Sequence, residues 1–138
     1  MSLLNVFRAL FFTLGFAVVN LAAAEITDRP SDIEYAFAHH QQNAQLYAFG
    51  TIEKVLADDR QGSRHQKFLV RVNGNLTILI AHNIDIAKRI PELKPGDEIQ
   101  FYGEYEWNPK GGVVHWTHRD PSGRHRAGWL KYKGITYQ

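Results

Sequence analysis

Cysteine is absent from this 138-residue chain. Its absence removes disulfides, thiolate metal ligands and thiol nucleophiles together, so the fold must rest on packing. An excess of charge of one sign is also lacking: 16 Lys and Arg against 14 Asp and Glu leave a formal net charge of +2. A chain so nearly balanced has no bulk electrostatic reason to bind nucleic acid, and only a local arrangement of charges can supply one. The apolar run from Ala9 to Val19 is too short to span a bilayer comfortably. There are no internal repeats and no low-complexity tracts.

That run follows Arg8, the only charge before it, and leads into "NLAAAE". Ala22 and Ala24 occupy the small-residue positions that a signal peptidase reads, which predicts an exported chain cut after Ala24, with an uncleaved anchor as the alternative. Residues 1–24 are therefore expected to be a signal peptide. Residues 25–138, 114 in all, are expected to form a single domain with one modest core. Export without disulfides fits a bacterial periplasm, or the surrounding medium, better than a eukaryotic secretory route.

"PSDIEYAFAHHQQNAQ" reads as one short helix, with Ser31 and Glu34 as a capping box and an apolar stripe of Ile33, Phe37 and Ala44. On a helix His39 and His40 point about 100° apart, too far to grip one ion together. From Leu46 onward the period becomes that of strands. "QLYAFGTIEKVL" is a first strand with a bulge expected at Gly50. In "RHQKFLVRV", Phe68, Val70 and Val72 share one side, and His65, Lys67 and Arg71 the other. "NGN" reads as a hairpin turn that exploits positive φ, and "LTILIAHN" as a third strand. A short helix is expected over 84–90, with Asn83 as its cap, followed by a fourth strand in "LKPGDEIQFYGEYEW". "VVHWT" is a fifth strand, and "GWLKYKGITYQ" a small terminal hairpin. The order predicts a mainly β fold: a five-stranded OB-fold-like barrel with an N-terminal helix and a short helix between strands three and four. An open five-stranded sheet with a packed helix is the alternative.

Three of the seven histidines fall in "GGVVHWTHRDPSGRHRAGW". His115 and His118 point to opposite faces of a continuing strand, but "DPSG" reads as a turn that can gather His118, Asp120 and His125. With His115, which can meet His82 or Glu104 across the sheet, these residues form a candidate set for zinc or another divalent ion. The competing reading is a hydrogen-bonded clamp that locks the C-terminal segment over the barrel. "HWT" has the HxT form of two-histidine phosphodiesterases, but occurs only once. Asp58 and Asp59 are expected to solvate their loop and to pair with Arg60 or Arg64.

A binding face is the other candidate. Arg64, His65, Lys67 and Arg71 lie on or beside the second strand, where OB barrels hold extended polymers. Trp107 and Trp116 are candidate stacking platforms, with Tyr102, Tyr105 and Trp129 as further aromatic surface. Glu104 and Glu106 share a face with Tyr102 and would repel phosphate unless an ion or an arginine intervenes.

"GSRHQKFLV", "AHNID" and "GDEIQFYGEYEWNPKGGVVHWTHRDPSGRHRAGWL" resemble a group of small exported bacterial proteins defined mainly as a domain of unknown function. The resemblance runs from about Phe49 to Tyr137 and is most specific from Gly103 to Trp129. It implies a periplasmic or secreted OB-type barrel and carries no catalytic residues across. Three functions stay open. One is a binding module for an extended anionic ligand, with single-stranded nucleic acid foremost. Another is a metal-dependent phosphodiester hydrolase that uses His115, His118, Asp120 and His125 for the ion, and His65 or His82 as acid or base. The third is a structural or interaction protein.

Overall fold

The computed structural model describes residues 32–138. The expected signal peptide, its cut site and Ser31 of the expected capping box lie outside these residues.

The elements are α1 (Asp32–Ala38), β1 (Ala44–Val55), β2 (His65–Arg71), β3 (Thr77–Asn83), β4 (Glu98–Glu106), β5 (Val113–His115), β6 (Trp129–Tyr132) and β7 (Ile135–Tyr137). Hydrogen bonding runs β1-β2-β3-β5-β4, and β1 also pairs with β4, so five strands close a barrel. β6 and β7 extend the sheet from β4 as a terminal hairpin. β3 and β5 are parallel and all other pairs antiparallel.

Closure depends on the length of β1. Its first part pairs with β4 from Ala44 to Thr51, and its last part pairs with β2 from Thr51 to Val55. Gly50 stands at the hand-over, where a Cβ would come within 2.3 Å of the Arg71 carbonyl oxygen. The expected bulge at Gly50 is displaced: the register slips between Ile52 and Lys54 instead, and Gly50 serves close backbone approach.

Alternation on every strand sends one face into the barrel. Phe68 and Val70, Ile78 and Ile80, and Ile99, Phe101 and Tyr105 are buried from β2, β3 and β4. α1 adds Ile33 and Ala36 to the core. The Tyr105 hydroxyl donates to the Gly111 carbonyl at 2.9 Å, and burial pushes its pKa up to about 12.

Three local expectations change. The helix stops at Ala38, because His40 and Asn43 take left-handed conformations (φ 51° and 54°) that turn the chain into β1. Ala44 is therefore a strand residue. The segment after β3 is a single turn closed by Ala87 N–H to Asn83 C=O (3.0 Å), although the Asn83 side chain does accept from Asp85 N–H as a cap does. In "NGN" none of the three residues has positive φ. Asn73 Oδ1 builds that turn by accepting from the Asn75 and Leu76 amides, each at 2.8 Å.

Candidate metal centre on the barrel's outer groove

Because β4 alternates, Tyr105 points inward while Glu104 and Glu106 share the outer face. β5 lies alongside, and its last residue, His115, is the direct partner of Glu104. The His115 Nε2 stands 3.6 Å from Glu104 Oε1 and 3.7 Å from Glu106 Oε1. Those separations are too long for hydrogen bonds. The Nε2 atom has no hydrogen-bond partner and is sealed from solvent. One donor atom from each of the three residues lies within 4.8 Å of the other two. Ligands held 2.0–2.2 Å from one ion, at 90° to 120° from each other, stand roughly 3–3.8 Å apart. The imidazole-carboxylate spacings fall in that range.

Each carboxylate has its other oxygen anchored. Glu104 Oε2 accepts a short hydrogen bond from His125 Nε2, and Glu106 Oε2 accepts from the Asn43 backbone N–H at 3.2 Å. Burial opposes ionisation of Glu104, but the hydrogen bond from His125, with the nearby imidazoles of His125 and His115, outweighs it and lowers its pKa. Burial likewise disfavours the His125 imidazolium, yet Glu104, the Arg126 carbonyl and Asp120 raise its pKa on balance. His125 Nδ1 also faces a carbonyl, that of Arg126 at 2.8 Å, so both ring nitrogens meet acceptors, an arrangement that favours the protonated ring. Two oxygens are thus held outward while two face His115, the arrangement by which outer hydrogen bonds aim metal ligands.

The loop after β5 delivers His125. Trp116 takes a left-handed conformation (φ 52°), ends the strand and stacks on the His125 ring, with centroids 4.0 Å apart. Asp120 organises the rest: Oδ2 accepts from the Arg124 and His125 amides at 2.9 and 2.8 Å, and Oδ1 from the Ser122 amide at 2.9 Å. These donors hold its carboxyl below the usual carboxylate range.

The structure regroups the expected ligand set. Asp120 is consumed by its own turn. His118 is buried and gives Nδ1–H to the Arg119 carbonyl at 2.7 Å. His125 acts through Glu104, so only His115 of the four stands with the converging donors. His82 is removed from acid-base work: it is fully buried, gives Nε2–H to the Lys88 carbonyl (3.1 Å) and accepts at Nδ1 from the Thr117 hydroxyl (2.8 Å). Burial drives its pKa down to about 4. Thr117, the threonine of the HxT pattern, is spent on this core contact.

A groove of about 460 Å³ crosses the outer face beside the cluster. Leu79, Ala81 and Val113 form its apolar floor, with His65 and Lys67 on one wall and Glu106 and His115 on the other. A smaller cavity of about 170 Å³ shares His65 and His115 and adds Trp116 and His118. His65 donates Nδ1–H to the Ser63 carbonyl at 2.9 Å, which leaves the lone pair on Nε2.

The expected basic track is largely neutralised. Arg71 is paired with Glu53 and Arg64 with Asp85, while Lys67 joins no ion pair among the described residues. Asp58 pairs with Arg89 rather than with Arg60 or Arg64. The aromatic residues divide as well. Tyr105 is core, Trp107 is stacked on His40 at 4.0 Å, and Tyr102 and Trp129 pack together where β4 meets β6. Asn43 could not be picked out from sequence, because its place in "QQNAQ" looks like the end of a helix. Glu104 and Glu106 carried a signal, two carboxylates on the face opposite an aromatic core stripe.

No curated protein matches the chain. Residues 11–138 match the family described as "Protein of unknown function (DUF3465)", and the chain belongs to that family.

Proposed function

We propose that this exported OB barrel binds an anionic ligand in its outer groove with the help of a divalent cation held by Glu104, Glu106 and His115. The observation that carries this reading is the unpartnered His115 Nε2 facing one oxygen of each carboxylate. Glu106 and Asp59 line the groove and would repel an anion, and a cation held by Glu106 with Glu104 and His115 reverses that sign on its wall. Lys67 on the facing wall, in no ion pair among the described residues, supplies a positive charge, and Leu79, Ala81 and Val113 supply an apolar floor. Single-stranded nucleic acid is the ligand whose shape suits such a groove.

Phosphodiester hydrolysis at the same site is the second reading, supported by the free Nε2 lone pair of His65, a side chain that shares both cavities with His115. A base beside cation-bound water is what that chemistry needs. One assay separates the readings: labelled single-stranded DNA and RNA incubated with the purified protein in Mn²⁺, and again in chelator. Intact strands retarded only with Mn²⁺ support cation-assisted binding. Chelator-sensitive fragments move the conclusion to hydrolysis. Strands neither retarded nor cut reject a nucleic-acid ligand.

A further inference from the structure

We infer that Asn43 is a fourth ligand of this centre, and that its side-chain amide rotates between a cation-free and a cation-loaded orientation. The inference rests on the cation reading above and adds the residue that prepares the site.

Asn43 enters the cluster from a different part of the chain than the other three groups. It precedes β1, and Ala44 pairs with Tyr105, so Asn43 lies beside Glu106. The left-handed backbone at Asn43 (φ 54°) is one that Asn tolerates better than most side chains. Its backbone N–H is fixed on Glu106 Oε2, which holds the side chain over the two carboxylates. Oriented with its nitrogen toward them, the amide donates to Glu106 Oε1 at 3.0 Å and to Glu104 Oε1 at 3.3 Å. These are the same two oxygens that face His115 Nε2. Without an ion, the NH₂ group bridges the carboxylates and offsets their repulsion.

A cation among Glu104, Glu106 and His115 would repel that NH₂ group. Half a turn about the terminal torsion, which is soft for Asn, exchanges NH₂ for the carbonyl oxygen at nearly the same point in space. Separations of 3.0 and 3.3 Å from the two carboxylate oxygens suit neighbouring ligands of one ion. The completed set is three oxygens and one imidazole nitrogen, with two negative charges to balance a divalent ion. An oxygen-rich set with one nitrogen suits Mn²⁺ and its neighbours better than a thiophilic metal.

The test is Mn²⁺ affinity, measured by the loss of the free-ion electron paramagnetic resonance signal. The protein is compared with its Asn43→Gly and Asn43→Asp variants, each checked for folding by circular dichroism. Glycine keeps the left-handed backbone and removes only the amide. Asn43→Gly is expected to bind Mn²⁺ about tenfold or more weakly. Asn43→Asp is expected to bind more tightly, yet to melt lower without the ion, because three carboxylates then face one another. A folded Asn43→Gly with unchanged Mn²⁺ affinity overturns the role of Asn43 and leaves the three-residue centre standing. No Mn²⁺ binding by the unaltered protein overturns both.

Discussion

Glu104 and His115 are direct partners across β4 and β5, and their side chains approach to 3.6 Å without a hydrogen bond. Strand pairing sets this relationship, so it costs no loop ordering. Each carboxylate that faces His115 is anchored through its other oxygen. His125 holds Glu104 from one loop, and the Asn43 backbone holds Glu106 from another.

Lys67 and Arg71 should differ in ligand binding although both lie on the outer face of β2. Arg71 already has Glu53 as its partner, while Lys67 lines the groove. Lys67→Ala is expected to weaken retention of single-stranded DNA about tenfold and to make its salt dependence shallower by about one phosphate contact. Arg71→Ala should change retention by less than about twofold. Equal losses in a titration at several salt concentrations would contradict the groove as the contact surface.

His82 should make the fold acid-sensitive. Its pKa is about 4 in the fold against 6.5 for the free side chain. Between those values the unfolded chain binds the extra proton, so stability rises with pH across that window and is lost as pH falls through it. The difference amounts to about 3 kcal/mol. Urea melts from pH 4 to pH 7 should show this slope, and His82→Gln should flatten it while lowering stability throughout. An unchanged slope in the variant would assign the acid sensitivity elsewhere.

Asp120 should matter for the order of its loop rather than for the ion itself. In Asp120→Ala, the amides of Ser122, Arg124 and His125 lose their acceptor. Their hydrogen exchange is expected to quicken by roughly tenfold or more. Cation affinity should fall only modestly, because His125 orients Glu104 and does not bind the ion directly. Abolished Mn²⁺ binding with an intact fold would restore Asp120 to the ligand set.

Gly112 tests how closely the β4–β5 turn is fitted to the core. It has φ 96°, and a Cβ there would meet the Tyr105 ring at 2.3 Å. Gly112→Ala is expected to cost more than about 3 kcal/mol in denaturant melts. Gly123→Ala, at φ 66° with open space around it, should cost only about 1–2 kcal/mol.

The barrel was legible because alternation is a local signal. In β2 and β4 the buried residues fall at every second position, so Phe68, Val70, Phe101 and Tyr105 declare their face without any partner being known. Glycine was harder to interpret. The close approach of Arg71 to Gly50 depends on how β1 passes from β4 to β2, which no short window contains.

The site was legible only in part. His115, His118, Asp120 and His125 are crowded in sequence, but the structure gives them different partners. Backbone amides take up Asp120, and the core takes His82. The carboxylates that face His115 come from β4, joined to it by strand register alone. Charge pairing was not legible either: Glu53 and Asp85, distant in sequence from Arg71 and Arg64, pair with them.

The most direct test of the centre is a calorimetric titration of Mn²⁺ into the purified protein and into its His115→Ala and Glu106→Gln variants. One ion per chain for the unaltered protein, with affinity reduced at least about tenfold in both variants and their melting curves little changed, is the predicted result. Absence of binding, or binding that both variants retain in full, would contradict a cation centre at Glu104, Glu106 and His115.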